Sequence, residues 1–185
     1  LHQSLDKKKY NVIVVDDGST DNSLKEIQTF GKLLKEIKNK KNKGLPHSLN
    51  TGIKKSNSEY IVRLDSDDYV NSNFLLFLLE FIENNKEAAD AVSTDYYIVN
   101  DDEKILSREN SQEKPIACGI IFKKKHLLDI GLYNEKFLLH EEIELRNKIA
   151  HSIDIDNLSQ ISSIISNENK DDAKVIEDIR KELFF

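Results

Sequence analysis

The sequence predicts an α/β fold with a mostly parallel central sheet flanked by helices. Three observations carry that expectation. Short apolar, β-branched runs alternate along the chain with segments whose apolar residues recur at helical spacing. Two of the runs, Tyr10–Val15 (YNVIVV) and Tyr60–Leu64 (YIVRL), are apolar almost throughout, as strands covered on both faces are. Both runs end in acidic turns, and in open α/β sheets ligands bind beyond the carboxyl ends of the strands.

Bulk composition narrows the class. At 185 residues the chain is long enough for one domain with a real core, and 38% apolar against 32% charged residues reads as globular. The net charge of −6 provides no overall basic field, so nucleic acid is not expected as a partner. A single cysteine, Cys118, leaves no internal disulfide and fits a reducing compartment, so a cytoplasmic protein is expected. The longest apolar run, Phe74–Leu79, is too short to span a bilayer, and the opening LHQSLDKKKY has no apolar core of a secretory signal. The absence of any methionine, including at the start, is what a fragment or a processed product would show.

In chain order, residues 1–9 are polar and lead into the strand at Tyr10–Val15. The turn DDGSTDNS (Asp16–Ser23) follows, with Gly18 for a tight bend and Ser19, Thr20, Asp21 and Asn22 all able to cap a helix. Leu24, Ile27 and Phe30 sit at helical spacing, so a helix is expected over Ser23–Phe30, stopped by Gly31. Leu33–Ile37 reads as a short strand and Lys38–Gly44 as a basic loop. Pro46–Ser56 reads as a helix with Leu49 and Ile53 on one face. After the strand at Tyr60–Leu64, Asn71–Asn84 is a helix apolar enough to be largely buried. Ala91–Ser93 and Tyr96–Val99 are strand-like, and Asn100–Glu103 is a turn leading to Ile105. Ile116–Phe122 is a further strand, Lys123–Ile130 a short helix ended by Gly131, and His140–His151 a helix. The domain is expected over residues 1–150, with a helical extension at 151–185.

The chemistry sits in the acidic turns. In Asp65-Ser66-Asp67-Asp68, carboxylates one residue apart can share one hard cation such as Mg²⁺ or Mn²⁺, leaving room for phosphate oxygens. An ordinary surface turn uses the same residues. Asp16 and Asp17 are open to a similar double reading. Capping needs only one such group, which Ser19 or Asp21 can supply, whereas two adjacent carboxylates repel. If both strands are parallel in one sheet, the two turns share an edge and describe a nucleotide site. Asp65 to Val70 begins like an EF-hand loop, but Tyr69 and Val70 fall where an oxygen ligand and a glycine are needed. No GxGxxG or GxxxxGK occurs.

The strings VIVVDDGSTDNS, NKGLPHSLNTGI, SEYIVRLDSDDYV, ACGIIFKKKHLLDIGLYNEKF and HEEIEL, in that order over about residues 1–150, resemble the family 2 glycosyltransferases, which have the GT-A nucleotide-sugar fold. The resemblance implies an inverting transfer of sugar from a nucleoside-diphosphate donor, UDP-linked by expectation, to a glycan or lipid-linked acceptor in cell-surface polysaccharide synthesis. It implies that one of Asp16 and Asp17 meets the base, that Asp65 faces the ribose, and that Asp67, with Asp65, binds Mn²⁺ or Mg²⁺ at the diphosphate. Lys43, Gly44 and Asn50 match the family's NxG…N segment, which implies a phosphate contact for Lys43; on residues alone a Lys-rich loop is more often a solvated turn. Glu142 would be the general base, with Glu141 the runner-up; on residues alone these glutamates, with Glu144, read first as a solvated helix face, with Glu142 and Arg146 an i,i+4 pair. Arg63, mid-strand, is expected to make a structural ion pair, and Cys118 to be a buried, inert thiol.

The match departs from the family in places. Leu49 stands where many members have Arg. The strand and helix with which members open are lacking, so a GT-A sheet incomplete at its N-terminus is expected. The synthase signature QxxRW is absent, which favours transfer of single sugars. Lipid-linked acceptors would bring the protein to the inner face of the membrane as a peripheral contact. The rival expectation is a degenerate transferase-like domain that serves as an interaction module. A nucleotidyltransferase with paired aspartates would need a Gly-rich, basic phosphate loop that this chain lacks.

Overall fold

The structure is a computed structural model, and it describes residues 2–114, 116–136, 144, 145 and 147–149. Those residues form two compact units, one of residues 6–61 and 123–149, the other of residues 2–5 and 62–122.

In the first unit, the β-branched run after Tyr10 makes β1 (Ile13–Asp16). Helix α1 (Ser23–Thr29) follows the acidic turn, and a 3₁₀ turn (Gly31–Leu33) leads to β2 (Lys35–Lys38). β1 and β2 pair in parallel, Ile13 opposite Lys35 through Asp16 opposite Lys38. The strand expected at Leu33–Ile37 thus begins two residues later, because Leu33 is 61% exposed and closes the 3₁₀ turn instead. Gly44 (φ +91) caps α2 (Leu45–Lys55), whose first turn accepts Pro46 because that position has no intrahelical partner to lose. α2 packs on β1, close enough that a Cβ on Gly52 would meet Val15 at 3.4 Å. Helix α4, at Lys124–Asp129, belongs to this unit, and the core is Ile53, Leu127, Leu132, Tyr133, Leu145 and Ile149. Of the helix expected at His140–His151, the described residues Glu144, Leu145 and 147–149 are helical; the rest, like 151–185, lies outside the described residues.

In the second unit, α3 (Phe74–Asn84) packs on β4 (Ala91–Ser93) through Phe74, Leu78 and Ile82, one stripe at four-residue spacing. Its other face is less covered than its composition implies: Phe77 is 54% exposed. β5 (Tyr96–Val99) and β6 (Ile105–Glu109) form an antiparallel hairpin whose turn is fixed by Asn100, its Oδ1 accepting from the N–H groups of Asp102 and Lys104. β7 (Ile120–Lys123) runs antiparallel to β4, Ala91 opposite Phe122. The chain passes from β4 to β7 through a hairpin with no crossover helix, and a parallel return needs such a crossover. β3 is the strand Tyr60–Val62, where the chain leaves the first unit for the second. Among the described residues β1 thus pairs with β2 in parallel, while β4 with β7 and β5 with β6 are antiparallel.

Candidate active site

Asp16 closes β1 and is buried, 4% exposed. Its Oδ1 accepts the Ser19 N–H at 3.0 Å, whereas Oδ2 is buried with no hydrogen-bond partner among the described residues. A buried carboxylate oxygen left in that state is costly, and such groups call for an explanation.

Asp17 is the opposite case. Its Oδ1 accepts from Asn39 Nδ2 at 2.7 Å and from the Lys43 N–H at 3.0 Å, and its Oδ2 accepts the Gly44 N–H at 2.8 Å. Burial pushes its pKa up, but the hydrogen bonds from Asn39, Lys43 and Gly44, with Ser48, outweigh that and hold it below the ordinary aspartate value. Asp17 therefore clamps the basic loop against the acidic turn. Gly18 (φ +81) is the contact point: a Cβ there would meet Lys41 C at 2.8 Å and Asn42 N at 2.9 Å, both backbone. Lys43 enters this arrangement through its backbone.

Two asparagines complete this unit's polar frame: Asn39, which carries no motif in the sequence, and Asn50, which matches the family's NxG…N segment. Asn39, 9% exposed, donates to Asp17 and to Ser48 Oγ. Asn50, 3% exposed, donates to the Tyr133 carbonyl at 2.9 Å and to Glu135 Oε1 at 3.0 Å. His47 Nδ1 lies 2.9 Å from Glu135 Oε2. The signal for Asn39 was its register: it follows Lys38, the partner of Asp16, and so stands beside Asp17.

In the other unit, Arg63 and Asp65 form a two-point ion pair, Nε to Oδ1 at 2.7 Å and Nη2 to Oδ2 at 3.0 Å. Asp68 donates its N–H to the Asp65 carbonyl at 3.2 Å and accepts the Cys118 thiol on Oδ2 at 2.7 Å. Burial, with the Asp68 and Asp65 carboxylates beside it, pushes the Cys118 thiol up to about 12. Ligand atoms of Asp65, Asp68 and Cys118 all lie within 4.8 Å of one another. The oxygen donors of Asp65 and Asp68 suit Mg²⁺ or Mn²⁺; a thiol that stays protonated at neutral pH does not ligate either. Asp67 is exposed and outside that trio. The structure thus brings Asp16, Asp17 and Lys43 together in one unit, and Asp65 and Asp68 in the other. Glu141 and Glu142 lie outside the described residues.

The chain belongs to glycosyl transferase family 2, whose family model matches residues 1–144. An uncharacterized glycosyltransferase of Rickettsia bellii is 39% identical over 149 residues, 73% of this chain and 21% of that protein. Poly-beta-1,6-N-acetyl-D-glucosamine synthase of Staphylococcus epidermidis is 27% identical over 167 residues, 79% of this chain and 40% of that one. Among solved structures, S. aureus TarS 1-349 in complex with UDP superposes with a TM-score of 0.63 at 20% identity, covering 78% of this chain and 46% of that TarS 1-349 chain. Mannosyltransferase PcManGT from Pyrobaculum calidifontis, in complex with GDP-Man and Mn²⁺, gives 0.59 at 22% identity, covering 78% and 45%. The fold is that of the GT-A glycosyltransferases, and the chain spans less than half the length of each of these four proteins.

Proposed function

We propose that this chain carries the donor site of an inverting, metal-dependent glycosyltransferase that moves a sugar from a nucleoside diphosphate, UDP-linked, to a glycan or lipid-linked acceptor in cell-surface polysaccharide synthesis. The observation that carries the reading is the contrast within the acidic pair. Asp17 spends its oxygens on holding the basic loop, while Asp16 keeps a buried oxygen for a donor from outside, such as the N–H of a base. Asp16 is then the base contact and Asp17 the residue that shapes its surroundings.

Asp65, with Asp67 or Asp68, would hold the divalent ion. When bound, Mn²⁺ or Mg²⁺ supplies positive charge where a leaving diphosphate gains negative charge. Arg63 orients the Asp65 carboxylate through two hydrogen bonds. Lys43 lies on the loop that Asp17 fixes, near where a phosphate would be met. A sugar hydroxyl is a poor nucleophile, so a carboxylate that takes its proton is needed, and Glu142 is assigned that task with Glu141 second. Inversion takes a single displacement and no enzyme nucleophile.

One observation favours the second reading, a nucleotide-binding or interaction domain without turnover. Both Asp65 oxygens are already engaged by Arg63. Turnover of UDP-sugar separates the two. With Mn²⁺, the transferase releases UDP and an inverted sugar, and Asp67→Ala and Glu142→Gln each abolish release. Binding of UDP with no release supports the second reading. Release of pyrophosphate would identify a nucleotidyltransferase and contradict both.

A further inference from the structure

The amino-terminal edge of the parallel sheet is a cationic surface in an otherwise acidic chain. Residues 6–61 hold twelve lysines against seven acidic residues, in a chain that carries −6; Lys25 and the basic-loop lysines Lys38, Lys40, Lys41 and Lys43 lie at or after the carboxyl ends of β1 and β2, which leaves seven for this edge. Direct contacts gather several of these lysines. Lys35, at the start of β2, donates its N–H to the Val12 carbonyl just before β1 and its Nζ to the Lys55 carbonyl at the end of α2, at 3.0 Å. Lys124, at the start of α4, donates its Nζ to the Ser56 carbonyl at 2.6 Å. Asn11 bonds to Ser58 at 3.2 Å, which brings the exposed run Lys7-Lys8-Lys9 to the same edge. Exposed Lys54 and Lys55 stand on the last turn of α2, where the helix dipole favours cations.

The edge is also apolar at one point. Phe30 is 46% exposed and Leu33 61% exposed, with Lys32 between them and Lys35 after. Asp6, Glu36 and Glu59 share the edge and leave the lysines in excess.

We propose that this edge docks the protein on an anionic phospholipid surface. Lysines within a Debye length of anionic headgroups are drawn to them, and exposed apolar side chains flanked by lysines enter the headgroup boundary. A lipid surface accounts for both the charge and the exposed Leu33 and Phe30; a nucleic acid accounts for the charge alone. Asp16 closes the far end of β1, so the donor site stands about 10 Å along the strand from the docked edge. Docking does not depend on the donor-site assignment.

Co-sedimentation of the full chain with vesicles tests it, using phosphatidylcholine alone and phosphatidylcholine with one third phosphatidylglycerol. Binding to the anionic vesicles only, weakened by salt, is the expected result. The Lys54→Gln/Lys55→Gln variant should bind roughly twenty-five-fold more weakly, about five-fold per lysine. Leu33→Ser should bind about ten-fold more weakly. Both sites are exposed, and circular dichroism checks folding. Equal binding to both vesicle types, no binding, or unchanged binding by the lysine variant would overturn the assignment. So would capture of a single-stranded oligonucleotide at the same lysines with no vesicle binding. A chain that binds vesicles but not UDP would sink the donor-site reading alone.

Discussion

Asn50 and Tyr133 hold each other by two reciprocal hydrogen bonds: Asn50 Nδ2 donates to the Tyr133 carbonyl at 2.9 Å, and the Tyr133 N–H donates to Asn50 Oδ1 at 3.0 Å. Both residues are buried, and they join the middle of α2 to the chain that leads from α4 towards the glutamate pair at 141 and 142. A side-chain amide that pairs with both backbone groups of one residue acts like a short piece of sheet. Asn50→Ala removes the partner of both groups in a buried place, a loss of about 2–4 kcal/mol. Urea unfolding of the variant checks this; a loss below about 1 kcal/mol would contradict the pairing.

Asp17 predicts a pH dependence. Its folded-state pKa lies below the ordinary value because the hydrogen bonds from Asn39, Lys43 and Gly44 outweigh the opposing effect of burial. A carboxylate depressed in this way contributes its stability above its unfolded-state pKa, and loses it as pH falls through the lowered folded-state value. Asp17→Asn should therefore be less stable than the native chain at neutral pH, and the gap should close in acid. Urea midpoints of the two proteins across a pH series measure the gap. A gap that is constant or widens in acid would show that Asp17 is not the clamp.

Gly18 and Gly31 separate two costs that are usually confounded. Both have positive φ, +81 and +54, but only Gly18 has backbone atoms where a Cβ would go. Gly31→Ala should cost about 1 kcal/mol, from conformation alone. Gly18→Ala adds a clash with Lys41 and Asn42 that neither can relieve by a rotamer change, and should cost about 2 kcal/mol more. Thermal unfolding of the two variants under one set of conditions gives the comparison.

Much of this was legible in the sequence, for reasons that differ by element. β1 was readable because a continuous β-branched run ending in carboxylates has few other structural uses. β2 was readable only to within two residues, since Leu33 looks like a strand residue and yet faces solvent. The uneven exposure of α3 was hidden, because residues apolar on every face do not say which face meets β4. The pair Asp16 and Asp17 was visible as a pair, but the difference between them was not. Adjacent identical residues leave β1 on different sides, and only the path of the basic loop decides which one is satisfied. Asn39 was hidden among lysines as an ordinary turn residue. The pairing of Arg63 with Asp65 was expected in kind, because a buried guanidinium needs a partner, but sequence did not name the partner.

The most direct test of the account is calorimetric titration of UDP, with and without Mn²⁺, into the native chain and into Asp16→Ala. The account predicts metal-dependent binding to the native chain and at least a ten-fold loss in the variant, equivalent to about 1.4 kcal/mol, with circular dichroism unchanged. UDP binding to Asp16→Ala as tight as to the native chain would contradict the assignment of the buried oxygen. A folded native chain that binds neither UDP, GDP nor dTDP would contradict the donor site itself.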